Sequence, residues 1–105
     1  MVIREWRGRA SVSRLDAYPK HFRDIVVPAL RLVPGFVGAY LSWRTLGDSI
    51  EFLVLTRWHS MDAIRGFAGA DTAKAVVEPG AVAALIDFDS DVHHYEVIEN
   101  VPPAR

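Results

Sequence analysis

The sequence contains no cysteine and no excess of charge of either sign. Without cysteine, these 105 residues form no disulfide bond, no cysteine-ligated zinc site and no thiol active site. Lysine and arginine together number 12, aspartate and glutamate together number 13, and the formal net charge is -1. The sequence therefore offers no electrostatic basis for a nucleic acid or an anionic membrane as a partner.

Long apolar runs are missing as well. No stretch approaches the roughly 20 apolar residues that a membrane-spanning helix requires. Residues 1–6 lack the basic leader and apolar run of a signal peptide, so we expect a cytoplasmic protein. Hydrophobic residues make up 50% of the sequence and charged residues 24%, which is the composition of a folded chain. We expect one domain over residues 1–105, with a core at about 2–99 and an extended tail at 100–105.

Alternation of apolar and polar residues predicts four strands. They cover residues 2–10, 36–44, 50–58 and 92–99, and a turn at Gly47-Asp48 joins the second strand to the third. In the third strand, the residues of one parity are Ile50, Phe52, Val54, Thr56 and Trp58, and those of the other are Glu51, Leu53, Leu55 and Arg57.

Helical spacing and capping residues predict the elements between the strands. Apolar residues three and four positions apart predict a helix from Tyr18 to Val33, which Pro28 is expected to kink or end. Ser60 is the predicted N-cap of a second helix from residue 61 to about residue 67. We also expect a turn of helix at 72–77 and a third short helix at 81–88.

The order β-α-β-β-α-β is the split βαβ pattern of a ferredoxin-like α+β sandwich. Such a sheet carries its helices on one face, and the apolar residues of its other face need a cover. A second copy of the chain provides that cover through isologous contacts. We therefore predict a homodimer, in which two sandwiches form a dimeric α+β barrel.

Two runs of residues carry a family resemblance. Residues 34–38 read Pro-Gly-Phe-Val-Gly, and residues 51–63 contain Thr56-x-Trp58-x-Ser60 followed by Asp62 and Ala63. The first run is similar to a helix-to-strand turn, and the second to a third strand and the helix after it, in the antibiotic biosynthesis monooxygenase-like family. Phe67 and residues 94–97 also fit, so the chain resembles this family from residue 3 to about residue 98.

The resemblance implies a dimeric barrel with a pocket in each subunit, between the helices and the sheet. Some members of the family oxidise aromatic, polyketide-like substrates with dioxygen and without metal or flavin, because the deprotonated substrate supplies the electron. Other members degrade haem with an Asn, a Trp and a His, and those positions here hold Trp6 or Arg7, Phe67 and Val77. Haem degradation by that route is therefore not expected, and haem binding without degradation stays an alternative.

His94 is the candidate catalytic residue. It lies on the last predicted strand, where a histidine that faces the pocket can act as a general base near neutral pH. The alternative is a surface or interface histidine that is hydrogen-bonded to a neighbour. Because side chains alternate along a strand, His93 is expected on the opposite face.

Aromatic residues are the candidates for the walls of the pocket. We assign Trp58, Tyr40 and Phe67 to this role, and Trp58 foremost because it ends its strand beside a helix start. Aromatic side chains line apolar pockets but also fill cores and interfaces, so a core position is the alternative for each.

Two cationic groups and a histidine complete the candidate site. Arg44 and Arg4 are suited to an anionic or phenolate oxygen, and a solvated charge at a strand end is the alternative. His21 is offset from the apolar stripe of the first helix, so we expect it at the rim of the pocket.

No metal site is expected. Asp87, Asp89 and Asp91 alternate as in a calcium loop, but Val92 and Ile98 stand where that loop requires Gly and Glu. Histidines with the spacing of zinc ligands, phosphate-binding glycine motifs and nucleophile motifs are also missing. The sequence therefore predicts neither a metal nor a cofactor.

The leading functional hypothesis combines the resemblance with these residues. It is a cofactor-independent monooxygenase-like enzyme that acts on a small aromatic or polyketide-derived molecule, with His94 as the base and Arg44 near the developing oxyanion. The alternative is a non-catalytic, small-molecule-binding or stress-related dimeric barrel protein, since a fold does not determine a function.

Overall fold

A computed structural model describes residues 1–104 as a five-stranded antiparallel sheet with short helices on one side. The strands are β1 (Val2–Ser11), β2 (Phe36–Leu46), β3 (Ser49–Trp58), β4 (Asp87–Phe88) and β5 (His93–Glu96). The helices are α1 (Ala17–His21), α2 (Val27–Arg31), α3 (Met61–Ala68) and α4 (Pro79–Ala84), with a 3-10 turn at Val12–Arg14 and a π-helical turn at Phe22–Val26.

The sheet is ordered β2-β3-β1-β4, and β5 also pairs with β1. β1 and β3 pair along their whole length, from Val2 opposite Trp58 to Ser11 opposite Ser49. The other edge of β1 pairs with β5 near its start and with β4 near its end. The predicted ferredoxin-like α+β fold is confirmed by this arrangement.

Pro28 explains the irregular first helical segment. Proline has no N–H, so it cannot donate to the carbonyl four residues earlier. The hydrogen bonds shift register just before it, and the N–H of Val27 donates to the carbonyl of Phe22, five residues back. The predicted interruption at Pro28 is thus confirmed, as a π-helical turn followed by α2.

The capping residues of α3 are also confirmed. The hydroxyl of Ser60 accepts a hydrogen bond from the N–H of Ala63 at 3.2 Å. The helix ends at Gly69, whose φ of 82° lies in the left-handed region that favours glycine.

The structure corrects three predictions near the carboxyl end. The third helix covers Pro79–Ala84 and not 81–88, because Asp87–Phe88 forms a strand on the free edge of β1. Residues 72–77 form no helix, since the N–H of Ala75 donates to Ser90 and that of Val92 donates to Ala73. The last strand spans four residues rather than eight. Residues 97–104 form neither helix nor strand, and Arg105 of the expected tail lies outside the described residues.

The two faces of the sheet differ in their residues, since side chains alternate along each strand. We call the covered face the helix-side face; its residues on β1 and β3 include Val2, Arg4, Trp6, Ile50, Phe52, Val54, Thr56 and Trp58. The five residues of β3 that were predicted to share one face lie on this face, and all five are buried. We call the other face the open face; it carries Glu5, Arg7, Arg9, Tyr40, Arg44, Glu51, Leu53, Leu55 and Arg57.

Candidate functional site

A cavity of about 50 Å³ lies between the helix-side face and the helices. Its apolar lining consists of Trp6, Val26, Leu30, Val54, Phe67, Val76, Ala81 and Val92. Its polar lining consists of Arg4, Tyr18, Thr56 and Glu78. An apolar enclosure with a few polar groups is typical of a small-molecule site.

Arg4 is the positively charged group of this lining. The residue is only 5% exposed, and its guanidinium donates to the carbonyl oxygens of Thr72 at 2.6 Å and Lys74 at 2.8 Å. Among residues 1–104, the ion pairs do not include Arg4. Burial lowers the pKa of Arg4 to about 10, since the charged form loses its hydration. The cavity therefore contains a buried cation without a carboxylate partner.

His94 stands directly behind Arg4 across the β1–β5 pair. Its Nε2 atom lies 3.0 Å from Nη1 of Arg4. A guanidinium only donates hydrogen bonds, so Nε2 is the acceptor and the imidazole is neutral in this contact. The pKa of His94 is lowered, first by desolvation and then by the charges of Arg4 and His93. His94 itself does not line the cavity, and it reaches the site through Arg4.

A second polar group in the lining is formed by Glu78 and its neighbours. The carboxylate of Glu78 lies 3.3 Å from Nε2 of His21, whose side chain is 8% exposed. The ring of His21 packs against Tyr18, with 5.9 Å between the ring centres. The pKa of Tyr18 is raised, first by burial and then by the negative charge of Glu78. His21 thus lies at the edge of the cavity, where its contact with Glu78 connects it to the lining.

The aromatic wall residues predicted from the sequence separate in the structure. Phe67 lines the cavity, and the guanidinium carbon of Arg4 lies 5.8 Å from the centre of its ring. Trp58 is fully buried behind Phe67, at 5.7 Å between ring centres, and does not line the cavity. The indole N–H of Trp58 donates to the hydroxyl of Thr56 at 2.8 Å, so Trp58 orients a polar group that does line it.

Tyr40 and Arg44 lie on the open face, away from the cavity. Tyr40 is 60% exposed, and the guanidinium carbon of Arg57 lies 5.9 Å from the centre of its ring. Arg44 donates to the carboxylate of Glu51 at 2.9 Å. The structure therefore does not bring these two residues together with Arg4, Phe67 or His94.

Two polar residues of the lining, Tyr18 and Glu78, are not among the site residues predicted from the sequence. The ring of Tyr18 fits the apolar spacing of the first helix, so that spacing alone indicates a core residue. The three-residue separation of Tyr18 and His21 was the available signal, since residues so spaced share a helix face. Glu78 had no comparable local signal, because its position depends on how residues 70–78 return to the sheet.

Two further observations concern the described part of the chain. Within residues 1–104, no three His, Asp or Glu side chains converge in a way that would hold a metal ion. None of the helices in this range has the length and apolar character needed to cross a membrane.

Solved structures with the same fold include oxygenases and a haem-degrading protein. The monooxygenase ActVA-Orf6 of Streptomyces coelicolor, in complex with nanaomycin D, has a TM-score of 0.64 at 16% identity over 98% of this chain and 92% of that chain. The cofactor-independent oxygenase SnoaB of Streptomyces nogalater, as its N63A mutant, has a TM-score of 0.60 at 18% identity over 97% of both chains. The haem-degrader MhuD of Mycobacterium tuberculosis, with two haems bound in its active site, has a TM-score of 0.57 at 20% identity over 97% of this chain and 100% of that chain.

At these low identities, the structural similarity shows that the fold is shared. The family is assigned from the sequence. No curated protein is significantly similar to the chain. The sequence profile described as antibiotic biosynthesis monooxygenase matches residues 1–79, which is more than half of the chain. The chain therefore belongs to the antibiotic biosynthesis monooxygenase family.

Proposed function

We propose that this protein is a cofactor-independent monooxygenase-like enzyme that oxidises a small aromatic or polyketide-derived molecule in the cavity beneath its helices. The observation that carries the proposal is Arg4, a buried residue of the lining whose guanidinium has no carboxylate partner among residues 1–104. In the proposal, Arg4 binds the substrate oxygen that becomes negative, while Phe67 and Trp6 pack against the aromatic ring.

The electrostatics of Arg4 favour an anionic ligand. Its two backbone acceptors satisfy part of its hydrogen-bonding capacity but supply no formal negative charge. Burial of a cation without a counter-charge is unfavourable, as the lowered pKa of Arg4 indicates. An oxyanion placed beside Arg4 would offset this cost, and charge that develops during a reaction is stabilised in the same way.

The reaction proposed balances without a reductant from the protein. A CH2 group of the substrate becomes C=O, one atom of dioxygen enters the product, and the other leaves as water. The substrate first loses a proton, and the resulting anion supplies the electrons that reduce dioxygen. The protein then has to bind the substrate, promote its ionisation and keep water away from the reactive anion.

In the proposed site, His94 contacts Arg4 but does not line the cavity. Its Nε2 lone pair accepts from Arg4, so His94 becomes free to accept a substrate proton only when Arg4 turns towards a ligand. The base role inferred for His94 from the sequence stays a prediction. Trp58, Tyr40 and Arg44 have no substrate contact in the proposed site, because none of them lines the cavity.

The size of the cavity implies that its wall moves when substrate binds. About 50 Å³ is well below the roughly 300 Å³ at which ligand pockets of ordinary size begin. The carbonyls of Thr72 and Lys74, which Arg4 holds, lie in a segment without helix or strand. Displacement of this segment would enlarge the cavity and would release Arg4 from both carbonyls for a substrate oxygen.

Haem does not fit the described lining. The residues of the lining include no histidine and no methionine, and the sequence has no cysteine, so neither imidazole nor sulfur is available as an axial ligand. The phenol of the lining, Tyr18, has a pKa that burial raises, which disfavours the phenolate that would ligate iron.

We also propose that the protein acts as a homodimer through the open face. Tyr40 and Tyr95 are more than half exposed in the single chain, and Leu53 and Leu55 are only half-buried. Nε of Arg57 is buried on the same face and has no hydrogen-bond partner within residues 1–104. A second copy of this face would cover the apolar side chains through isologous contacts.

Oxygen uptake tests the proposed activity. The purified protein, in buffer treated with a chelator, is mixed with anthrone or β-tetralone, two ketones whose acidic CH2 group is attached to an aromatic ring. The proposal expects the consumption of one dioxygen per carbonyl formed, with strong loss in Arg4→Gln and retention in Arg44→Gln. Binding of these ketones without any oxygen uptake would instead support the alternative of a non-catalytic small-molecule-binding protein.

A further inference from the structure

The lining of the cavity contains a carboxylate that stands apart from its cation. Glu78 and Arg4 both line the cavity, yet they form no ion pair with each other in the described chain. The contact partner of Glu78 is His21, at 3.3 Å between Oε2 and Nε2. The lining of the cavity thus includes a positive residue and a negative residue that are not in contact with each other.

The surroundings of His21 hold its ring against Glu78. A Cβ atom at Gly80 would lie 2.6 Å from Nδ1 of His21, so the chain can approach the ring this closely only because residue 80 is glycine. On another side, the ring packs against Tyr18. His21 lies on α1 and Gly80 on α4, so contact between these two helices fixes the orientation of the imidazole.

We propose that Glu78, in place of the His94 expected from the sequence, is the general base of the site and that His21 is its positioning residue. The inference rests on the proposed function for the placement of substrate in this cavity. In the step, the C–H bond of the substrate breaks and its proton moves to a carboxylate oxygen of Glu78. The electron pair left behind delocalises onto the carbonyl oxygen of the substrate, which faces Arg4.

The charges of the cavity favour this step for a neutral substrate. Before proton transfer the wall carries one cation and one carboxylate at separate positions, and the substrate is uncharged. After transfer Glu78 is neutral, and the negative charge lies on the substrate oxygen beside Arg4. The net charge of the cavity is unchanged, while a separated pair of charges becomes an adjacent pair, which is favourable at low dielectric constant.

This balance identifies the substrate class as neutral ketones with an acidic C–H bond beside an aromatic ring. A ligand that arrives already ionised, such as an aromatic carboxylate, would be attracted by Arg4 but repelled by Glu78. The base also has to reach a carbon atom at some distance from the carbonyl oxygen, because Glu78 and Arg4 do not touch. A ketone whose acidic CH2 group is attached to an aromatic ring meets this requirement, since the charge of its anion spreads across the ring.

Hydrogen–deuterium exchange tests the base without any need for dioxygen. β-Tetralone is incubated anaerobically in D2O with the full chain, and loss of its CH2 protons is followed by NMR against a sample without protein. We expect the wild type to accelerate exchange and Glu78→Gln to lower the protein-catalysed rate by at least about 100-fold. The affinity for β-tetralone, measured by calorimetry, is expected to change less than the rate.

Variants of His21 distinguish positioning from folding. His21→Leu removes the contact with Glu78 and is expected to lower the exchange rate by up to about 100-fold. His21→Gln retains a side-chain N–H donor and is expected to recover part of that loss, which a purely structural role of His21 does not predict. Glu99→Gln and His59→Gln alter exposed residues outside the lining and serve as matched controls.

Each outcome has a defined meaning. Wild-type exchange that Glu78→Gln leaves unchanged would overturn the inference, and so would the absence of any wild-type acceleration. Exchange that depends on Glu78 but is not followed by oxygen uptake in air would support the base and would contradict the proposed oxygenase activity. The failure of one proposal is therefore distinguishable from the failure of the other.

Discussion

Arginine side chains on the two faces of the sheet have opposite surroundings. On the open face, three of the four arginines, Arg7, Arg9 and Arg44, have acidic partners, and Glu51 contacts all three. The fourth, Arg57, lies over the ring of Tyr40 instead. Arg9 also pairs with Asp87 and Asp89, and these contacts raise its pKa. On the helix-side face, Arg4 is more deeply buried, has no acidic partner among the described residues, and has a lowered pKa.

The comparison shows which charge is available to a ligand. A compensated arginine needs no further anion, and exposed or rim pairs of this kind contribute little to stability. An uncompensated buried arginine retains an unfavourable free energy that an anion would remove. The open face is therefore suited to contact between copies of the chain, and the helix-side face is suited to a small molecule.

The largest expected effect tests whether the helix-side face holds the core. Trp58→Ala removes a fully buried indole and its hydrogen bond to Thr56, and we expect a loss of about 3–5 kcal/mol in the free energy of unfolding. Val101→Ala, at a residue that is 83% exposed, is expected to change it by less than about 0.5 kcal/mol. Urea denaturation measures both. Equal losses would mean that the core has been assigned to the wrong side.

The next effect tests the role of the open face. Leu55→Asp places a carboxylate on this face in both copies of an isologous dimer, and we expect the dissociation constant to rise by at least about 100-fold. Light scattering over a dilution series measures the dimer fraction, with Leu32→Asp as a control at an exposed residue outside the sheet. A wild-type chain that is monomeric at micromolar concentration would contradict the dimeric barrel.

Replacement of arginine on each face gives a direct contrast. We expect Arg4→Gln to weaken the binding of para-nitrophenolate by about 10- to 100-fold, since a hydrogen bond to a charged group contributes about 1.5–3 kcal/mol. Arg44→Gln should bind within about twofold of the wild type, because Arg44 does not line the cavity. Calorimetric titration measures both affinities. The reverse order would place the anion site on the open face.

The smallest expected effect is a pH dependence of folding stability that arises from His94. The pKa of His94 in the folded chain lies below its ordinary value of 6.5, so the unfolded state binds more protons as the pH falls through that value. The contribution of His94 to stability is thus fully present above 6.5 and is lost as the pH falls towards the folded pKa. Melting temperatures between about pH 8 and about pH 5 should fall more steeply for the wild type than for His94→Gln. Parallel curves for the two proteins would show that neither burial nor the charge of Arg4 disfavours the charged imidazole of His94.

The sequence was sufficient for the elements with strong local signals. Alternation in β3, the cap at Ser60 and the interruption at Pro28 each act within a few residues, so their positions followed from the sequence. The helical turn predicted at 72–77 and the extension of the third helix to residue 88 were wrong. Backbone groups of residues 73 and 75 bond to residues 90 and 92, and residues 87–88 pair with β1. Such long-range hydrogen bonds have no periodic pattern in the sequence.

For the site, the residue types suggested more candidates than the structure brings together. Phe67 lines the cavity, and His94 and His21 each contact a lining neighbour, Arg4 and Glu78 respectively. Tyr40 and Arg44 belong to the other face, because the register of β2 against β3 pairs them with Leu55 and Glu51. The sequence shows which residues of a strand share a face, but it does not show which of the two faces the helices cover.

By itself, the sequence determined the α+β order of elements, the apolar set of β3 and the family, because these depend on local patterns and on similarity along the chain. The tertiary structure alone decided that Arg4 is buried with no carboxylate partner among residues 1–104. It also decided that Glu78 contacts His21, whose ring fits because residue 80 is glycine. The physical reason is that burial and charge compensation depend on the distances between residues far apart in sequence, and only the folded chain sets those distances.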